Sequence, residues 1–192
     1  MTPLLAIDTS AAHCAAALLL GDRVAIRVEP MAKGQAERLM PLLEELLAAE
    51  GFGWRDLAAI GVGTGPGNFT GLRIGVSATR GLALGLGVPA IGVSGFEAAA
   101  LGHPRPVTVA LPAPRDHLWL QHLTETGAEP PRLAPAAEVG EVLHAPDAET
   151  LVRAIAQLAC ERAGTPQPRP APLYVRPADA APPRDPAPLL IE

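Results

Sequence analysis

The part of this chain best suited to chemistry is a glycine-rich segment in its first half, GTGPGNFTGLRIG at 63–75. It follows an apolar run at 57–62 that predicts a buried strand, and it leads into a proline-free segment at 70–86 with helical spacing of apolar residues. Because glycine has no Cβ, such a turn can bring its N–H groups close to an anion or to another backbone. The spacing is neither the dinucleotide-binding Gly-x-Gly-x-x-Gly nor a P-loop. The residues alone therefore leave open a phosphate cradle or a close backbone contact.

A second polar group, Asp8-Thr9-Ser10, closes the first predicted strand. An Asx or Ser/Thr turn into a hairpin is the plain interpretation, since these side chains readily bond to nearby backbone. The chain has five histidines, His13, His103, His117, His122 and His144. No two of them are four apart, the spacing that would place two imidazoles on one helical face, so we expect no metal site. No Gly-x-Ser-x-Gly elbow is present either, and Val93-Ser94-Gly95 is expected to be a strand end and a turn.

Length, charge and composition argue against several classes of protein, among them membrane-spanning, exported and autonomous tRNA-binding proteins. At 192 residues the chain suits one domain or two small lobes. Its net charge is −5 and its arginines form no basic run, whereas an autonomous tRNA-binding protein needs a basic face to neutralise phosphates. Without an uninterrupted apolar run of about 18 residues or a basic leader, we expect neither a membrane span nor export. Two cysteines make no disulfide framework, and the cytoplasm is the expected location.

The order of predicted elements indicates an α/β fold with a mixed sheet, because antiparallel strands come first and then alternate with helices. The predicted strands lie at 4–9, 13–20, 23–28, 57–63, 90–93, 107–111 and 118–123, and the predicted helices at 36–51, 70–86 and, with Asp147 as N-cap, up to Arg162. His103-Pro104-Arg105-Pro106 marks a lobe boundary. We therefore expect a first lobe at 1–103 and a smaller second lobe at 104–192 that ends in a proline-rich tail.

Two of the predicted helices carry unusual faces. The leucines of the first cover an arc wider than the ~100° stripe that packing on one sheet requires. The second has small residues on one face, and each interior glycine costs about 1 kcal/mol relative to alanine, so this helix needs close packing. The residues concerned are Leu39, Leu43, Leu46, Leu47, Gly71, Gly75, Ala78 and Leu82. Deep packing within the chain is one interpretation of these faces, and a docking surface for a partner is the other.

Four segments, taken in order, closely resemble the TsaB (YeaZ) family. They are LLAIDTS at 4–10, AERLMPLLEELLAAEG at 36–51, the glycine-rich block continued to 100, and PLYVRPADAAPPRDP at 172–186. The resemblance implies an actin/Hsp70-like (ASKHA), ribonuclease-H-like fold with two lobes, the second of them truncated. It also implies a non-catalytic scaffold or activator of a TsaD-like threonylcarbamoyl transferase in tRNA N6-threonylcarbamoyladenosine modification.

The partners follow from the same resemblance. A TsaD-like catalytic paralogue and a second copy of the chain are expected to bind to the eight residues of the two helices. A TsaE-like ATPase is expected to join through the complex, and tRNA is expected to be contacted only indirectly. No cofactor of the chain's own is implied, and ATP or ADP at the interface with the partner is left open. The candidate nucleotide- or anion-facing residues are Asp8, Thr9, Ser10, Gly65, Gly67, Asn68, Thr70 and Arg73.

Two enzymatic alternatives are less well supported. The superfamily's older name, glycoprotease, suggests a peptidase, but the His-x-x-x-His pair of the catalytic relatives is missing. A self-sufficient kinase is disfavoured because Ser10 stands where related ATPases have a glycine beside the phosphate. The chain also departs from the family pattern at Pro112-Ala113-Pro114, where many members have Asp-Ala-Arg.

Overall fold

The structure, a computed structural model, describes residues 2–175, and the expected proline-rich tail beyond Val175 lies outside them. The strands are β1 (Leu4–Asp8), β2 (His13–Leu20), β3 (Arg23–Pro30), β4 (Ala59–Gly63), β5 (Ala90–Val93), β6 (Val107–Ala113), β7 (His117–Leu123), β8 (Arg132–Pro135) and β9 (Leu143–His144). The helices are α1 (Gln35–Ala49), α2 (Phe69–Leu86), α3 (Gly95–Ala99) and α4 (Ala148–Arg162). No helix within residues 2–175 is both long enough and apolar enough to cross a membrane.

The first sheet has the strand order β3-β2-β1-β4-β5. Strands β1, β2 and β3 are joined as antiparallel hairpins, whereas β4 and β5 run parallel to β1. The second sheet has the order β8-β7-β6-β9. The mixed α/β fold is therefore confirmed, and the order of the first sheet is that of a ribonuclease-H-like lobe of the actin/Hsp70 type.

Both faces of the first sheet are covered by helices, which is why all eight residues of β2 are buried. Alternate side chains of a strand point to opposite faces. Leu5, Ile7 and Leu18 pack with α1 and α2, whereas Leu4 and Ala17 pack with α4 on the other face. A strand buried on both sides is continuously apolar, as the sequence of β2 is.

Helix α4 corrects the expected division of the chain at 103/104. Its residues Val152, Ile155 and Ala159 are fully buried against strands of the first sheet. At Gly61 of β4 an added Cβ would lie 2.7 Å from the Cβ of Ala159, so helix and strand are in close contact. The boundary separates the two sheets, but it does not separate α4 from the first lobe, whose second face this helix covers.

The leucines of α1 correct the expected interface. Leu39, Leu43, Leu46 and Leu47 are each at most 2% exposed, because α1 is wedged between the sheet, α2 and the loop at 52–57. The small face of α2 is turned inward as well, with Gly71 and Gly75 buried and Ala78 and Leu82 half-buried. Of the two interpretations, packing within the chain is the one that the structure shows for these side chains. On the two helices, only the outward faces are available to a partner.

Helix α3 was not predicted, because five residues are too few for a hydrophobic period. The expected turn at Val93-Ser94-Gly95 is instead the start of this helix. Ser94 Oγ accepts a hydrogen bond from the Glu97 N–H (3.1 Å), and Glu97 Oε2 accepts one from the Ser94 N–H (3.0 Å). This reciprocal pair is a capping box, whose Ser-x-x-Glu signature was present in the sequence. Strands β8 and β9 were also missed, since both are short.

Burial of the α1 leucines leads to a stability prediction. We expect Leu43→Ala to lower the free energy of unfolding by about 2–5 kcal/mol, since the side chain is fully buried and its removal leaves a cavity. Urea unfolding followed by circular dichroism measures the change. Glu44→Ala, on the exposed face of the same helix, is the matched control and should change it by less than about 0.5 kcal/mol. Equal effects of the two substitutions would contradict the placement of Leu43.

Candidate functional site

The turn between β1 and β2 and the glycine-rich loop after β4 are bonded to each other. The Asn68 N–H donates to the Ser10 carbonyl oxygen (2.6 Å). The Thr9 hydroxyl donates to the Gly71 carbonyl oxygen (2.7 Å). The polar turn and the loop, which the sequence singled out separately, thus form one site at the carboxyl ends of β1 and β4.

The glycines of the loop allow this backbone contact. An added Cβ at Gly67 would lie 2.1 Å from the Ser10 carbonyl oxygen, and one at Gly71 would lie 2.0 Å from the Thr9 carbonyl oxygen. At the start of α2, the Gly71 N–H already donates to Asn68 Oδ1 (2.9 Å), which caps the helix. The close backbone contact, one of the two possibilities left open by the sequence, is the one observed.

A buried polar network lies beneath the turn. His13 Nε2 is 2.6 Å from Asp8 Oδ2, and the Ser10 hydroxyl donates to the same oxygen (3.0 Å). Asp8 is 1% exposed and His13 9%, and Asp8 Oδ1 has no hydrogen-bond partner among the described residues. From the sequence, His13 was considered only as a possible metal ligand. The signal was the β1–β2 hairpin, whose pairing of Asp8 with Ala15 brings His13 close to this carboxylate.

This network does not have the geometry of an activated nucleophile. In a Ser-His-Asp triad the imidazole lies between the hydroxyl and the carboxylate. Here Ser10 and His13 both bond to Asp8 Oδ2, so the hydroxyl proton is directed at the carboxylate. Within residues 2–175 there is also no cluster of three or more His, Cys, Asp or Glu side chains that could hold a metal ion.

Two further candidates lie elsewhere. Thr70 is exposed on α2, and Arg73 points away from the turn, with its guanidinium 3.8 Å from the centre of the Phe69 ring. Arg73 Nε also donates to the Tyr174 hydroxyl (3.1 Å), and the rings of Phe69 and Tyr174 are 5.4 Å apart. The structure therefore brings Asp8, Thr9 and Ser10 together with the loop, but it places Arg73 in a separate exposed cluster.

Tyr174 reaches this cluster because the segment 165–175, here called the strap, crosses the carboxyl end of the first sheet. The Leu173 N–H donates to the Thr64 carbonyl oxygen just after β4 (2.8 Å). Pro170 of the strap is buried against Gly92 of β5, where an added Cβ would lie 3.5 Å from it. The strap thus covers the edge at which parallel sheets usually bind ligands.

A cavity of about 220 Å³ remains between the two sheets. Its lining comes from the β1–β2 turn, the glycine-rich loop, the start of α3, the end of β6 and the start of α4. The lining residues are Ser10, Ala11, His13, Pro66, Gly67, Gly95, Leu111, Pro112, Ala145, Pro146, Ala148 and Leu151. Pro112, the first residue of the Pro112-Ala113-Pro114 segment, lies in this lining and adds to its apolar surface.

Comparison with known proteins agrees with these features. A family model described as TsaD: tRNA N6-adenosine threonylcarbamoyltransferase matches residues 28–129, about half of the chain. The tRNA threonylcarbamoyladenosine biosynthesis protein TsaB of Escherichia coli is 38% identical over 99 residues, and that of Haemophilus influenzae is 40% identical over 98. The chain belongs to the TsaB (YeaZ) family.

The match to these TsaB proteins covers only about half of this chain and less than half of each relative. It covers 52% and 50% of the present chain but only 43% and 41% of the two relatives. A Pseudomonas aeruginosa crystal structure, described as an uncharacterized protein with similarity to peptidase YEAZ, covers more. It aligns with 92% of this chain and 100% of its own, with a TM-score of 0.70 and 26% identity. The TsaB (YeaZ) fold therefore extends through both sheets.

The capping box of α3 has an electrostatic consequence. Burial raises the pKa of the Glu97 carboxyl, but hydrogen bonds from Ser94 and the ion pair with Arg162 (2.7 Å) outweigh burial and hold the pKa below its ordinary value of 4.5. A carboxyl whose pKa is lower in the folded state stabilises the fold above its ordinary pKa. That stabilisation is lost as the pH falls through the lowered value.

We therefore expect Glu97→Gln to lower the free energy of unfolding by about 1–2 kcal/mol at pH 7. The difference from wild type should shrink as the pH falls below 4.5, because the carboxyl of the unfolded state then takes up a proton, and it should vanish once the pH has fallen through the lowered pKa of folded Glu97. Urea titrations at several pH values measure it, with Glu44→Gln on the exposed face of α1 as the control. A difference that stays constant down to pH 3 would show that the charge of Glu97 contributes nothing.

Proposed function

We propose that this chain acts in the cytoplasm in tRNA N6-threonylcarbamoyladenosine biosynthesis, as a non-catalytic partner of a TsaD-like threonylcarbamoyl transferase. The observation that carries the proposal is the match of residues 28–129 to the TsaD family model together with TsaB relatives named for this pathway. The self-bonded turn and loop support a non-catalytic role, because their polar groups bond mainly to one another.

The outward faces of α1 and α2 form the proposed partner surface, here called the α1–α2 face. On α1 the exposed Glu37 and Glu44 form an acidic stripe, whereas the exposed Glu45 is paired with Arg38 (2.6 Å). On α2 they include Arg73 and Arg80, and the helix has no acidic residue. The two helices pack against each other, so an acidic and a basic stripe lie side by side.

Apolar anchors lie on the basic stripe. Leu84 is 84% exposed, and Phe69 and Tyr174 are each 44% exposed. Arginine and tyrosine are enriched among the residues that dominate binding energy, so the cluster of Phe69, Arg73 and Tyr174 is suited to an interface. Leu84 is on the same side of α2, eleven residues and about three turns from Arg73.

The charge pattern favours a partner with the same arrangement. Across a twofold axis, the acidic stripe of one molecule would face the basic stripe of the other, which makes the face self-complementary. A second copy of this chain meets that requirement, and so does a paralogue with the same fold, such as a TsaD-like protein. We propose that both use the α1–α2 face and therefore compete, with TsaE-like ATPase and tRNA joining through the TsaD-like partner.

A reconstitution tests the proposal. The TsaD-like protein from the same source is incubated with tRNA, threonylcarbamoyl-adenylate and either this chain or buffer, and modified adenosine is quantified after nuclease digestion. We expect product only when this chain is present. Equal product without it would overturn the activator role, and product from this chain alone would overturn the non-catalytic assignment.

A further inference from the structure

The cavity between the two sheets has one polar wall and several apolar ones. His13 and Ser10 provide the side-chain polar groups, and prolines, leucines and alanines provide most of the remaining lining. The volume of about 220 Å³ corresponds to the liquid volume of roughly seven water molecules. A small organic molecule with an apolar body therefore fits this space better than a nucleotide does.

The surroundings of the cavity disfavour an anion. None of the described residues that line it is Lys or Arg, and the buried carboxylate of Asp8 stands behind the polar wall. Three helices begin around the cavity, but each start is already capped by a side chain of the chain itself. Asn68 caps α2, Ser94 caps α3 and Asp147 caps α4. At each start, one of the N–H groups that attract phosphate at a helix N-terminus is thus engaged by a cap.

His13 presents a hydrogen-bond acceptor instead. A carboxylate only accepts hydrogen bonds, so in the Asp8–His13 pair the ring donates through Nε2. In the neutral ring Nδ1 then carries a lone pair, and none of the described residues donates to it. Asp8 Oδ1 is likewise buried without a partner among residues 2–175, so its negative charge is only partly compensated.

We propose that this cavity binds a small alkylamine or a similar molecule with one cationic N–H donor and an apolar body. The ammonium group donates to Nδ1 of His13 and is attracted by the charge of Asp8 behind it. The alkyl body lies against Leu111, Pro146 and Leu151. The selectivity is opposite to that of a phosphate site in the same cleft. It depends on His13 and on apolar residues such as Pro112, which line the cavity, and not on the proposed partner.

The test uses the full chain and two probes of similar shape and opposite charge, isoamylamine and isovalerate. The imidazole resonances of His13 are followed by heteronuclear NMR during each titration. We expect isoamylamine to shift them saturably, with a dissociation constant on the order of 1 mM, and isovalerate to bind at least about tenfold more weakly. Equal or tighter binding of isovalerate would overturn the proposal.

A matched pair of variants separates the cavity from general attraction of amines to an acidic protein. Ala145→Leu fills the cavity without removing His13 or Asp8, and we expect it to weaken isoamylamine binding at least about tenfold. Ala137→Leu makes the same change at an exposed position in the second lobe and should leave binding unchanged. Undiminished binding by Ala145→Leu would also overturn the proposal, since the amine would then bind elsewhere.

Discussion

Replacing Leu84 with glutamate is expected to weaken association of this chain with its TsaD-like partner by on the order of 100-fold, while the monomer stays folded. Leu84 is 84% exposed, so the substitution removes no buried contact of the monomer. In a complex through the α1–α2 face it would place an unpaired carboxylate against the acidic stripe of the partner. Product formation in the reconstituted reaction should fall in parallel at limiting concentrations of the chain.

The control for this variant is Gln157→Glu, which makes the same change in net charge on the exposed side of α4. This helix covers the opposite face of the first sheet, so its variant should associate and activate as wild type does. Light scattering for self-association and calorimetry for the TsaD-like partner measure the two equilibria. If Leu84→Glu binds both partners normally, the α1–α2 face is not the interface, whatever the reconstitution shows.

Gly71→Ala is expected to be the most damaging single-methyl change at the candidate site, with a loss of about 3 kcal/mol in the free energy of unfolding. The added Cβ would lie 2.0 Å from the Thr9 carbonyl oxygen, a backbone atom that cannot move away without breaking the turn. The start of α2 would have to shift. The bond from Thr9 to the Gly71 carbonyl oxygen, which joins turn and loop, would be lost with it.

Gly81→Ala in the same helix is the matched control. Nothing lies within 4 Å of an added Cβ at Gly81, and the position is exposed. Because alanine has the higher helix propensity, this variant should be stabilised by about 0.5–1 kcal/mol. Thermal and urea unfolding of the two variants should therefore move in opposite directions. A loss at Gly81 equal to that at Gly71 would mean that helix propensity, and not the contact with Thr9, governs this helix.

Much of the first sheet could be predicted, because its strands and its two long helices have clear periods and bounds. β2 was correctly predicted at His13–Leu20, and Asp147 caps α4 as expected. Three of the four segments that carry the resemblance to the TsaB (YeaZ) family lie in this same region. Local signals of this kind are strong where a strand is buried on both faces and where a cap residue precedes an apolar run.

The incorrect predictions concern which elements and side chains pack against one another. The sequence of α1 shows a wide apolar arc, but the arc looks the same whether a partner or the chain's own neighbours cover it. Here the sheet, α2 and the loop at 52–57 cover Leu43 and the other leucines. The Asp8–His13 pair was missed for a similar reason, since its proximity depends on strand register and not on sequence spacing.

The position of α4 also sets the order in which the molecule can be completed. The strands of the first sheet lie within residues 4–93, but the helix that covers one of their faces begins only at Ala148. During synthesis the strands of the first sheet therefore emerge from the ribosome before α4 does. The face of the sheet that carries Leu4, Ile91 and Val93 is then still exposed to water. A nascent chain is prone to aggregation while an apolar surface made early in synthesis waits for the helix that will cover it. A chain terminated after the second sheet would keep that surface, which makes α4 the element that completes the first lobe.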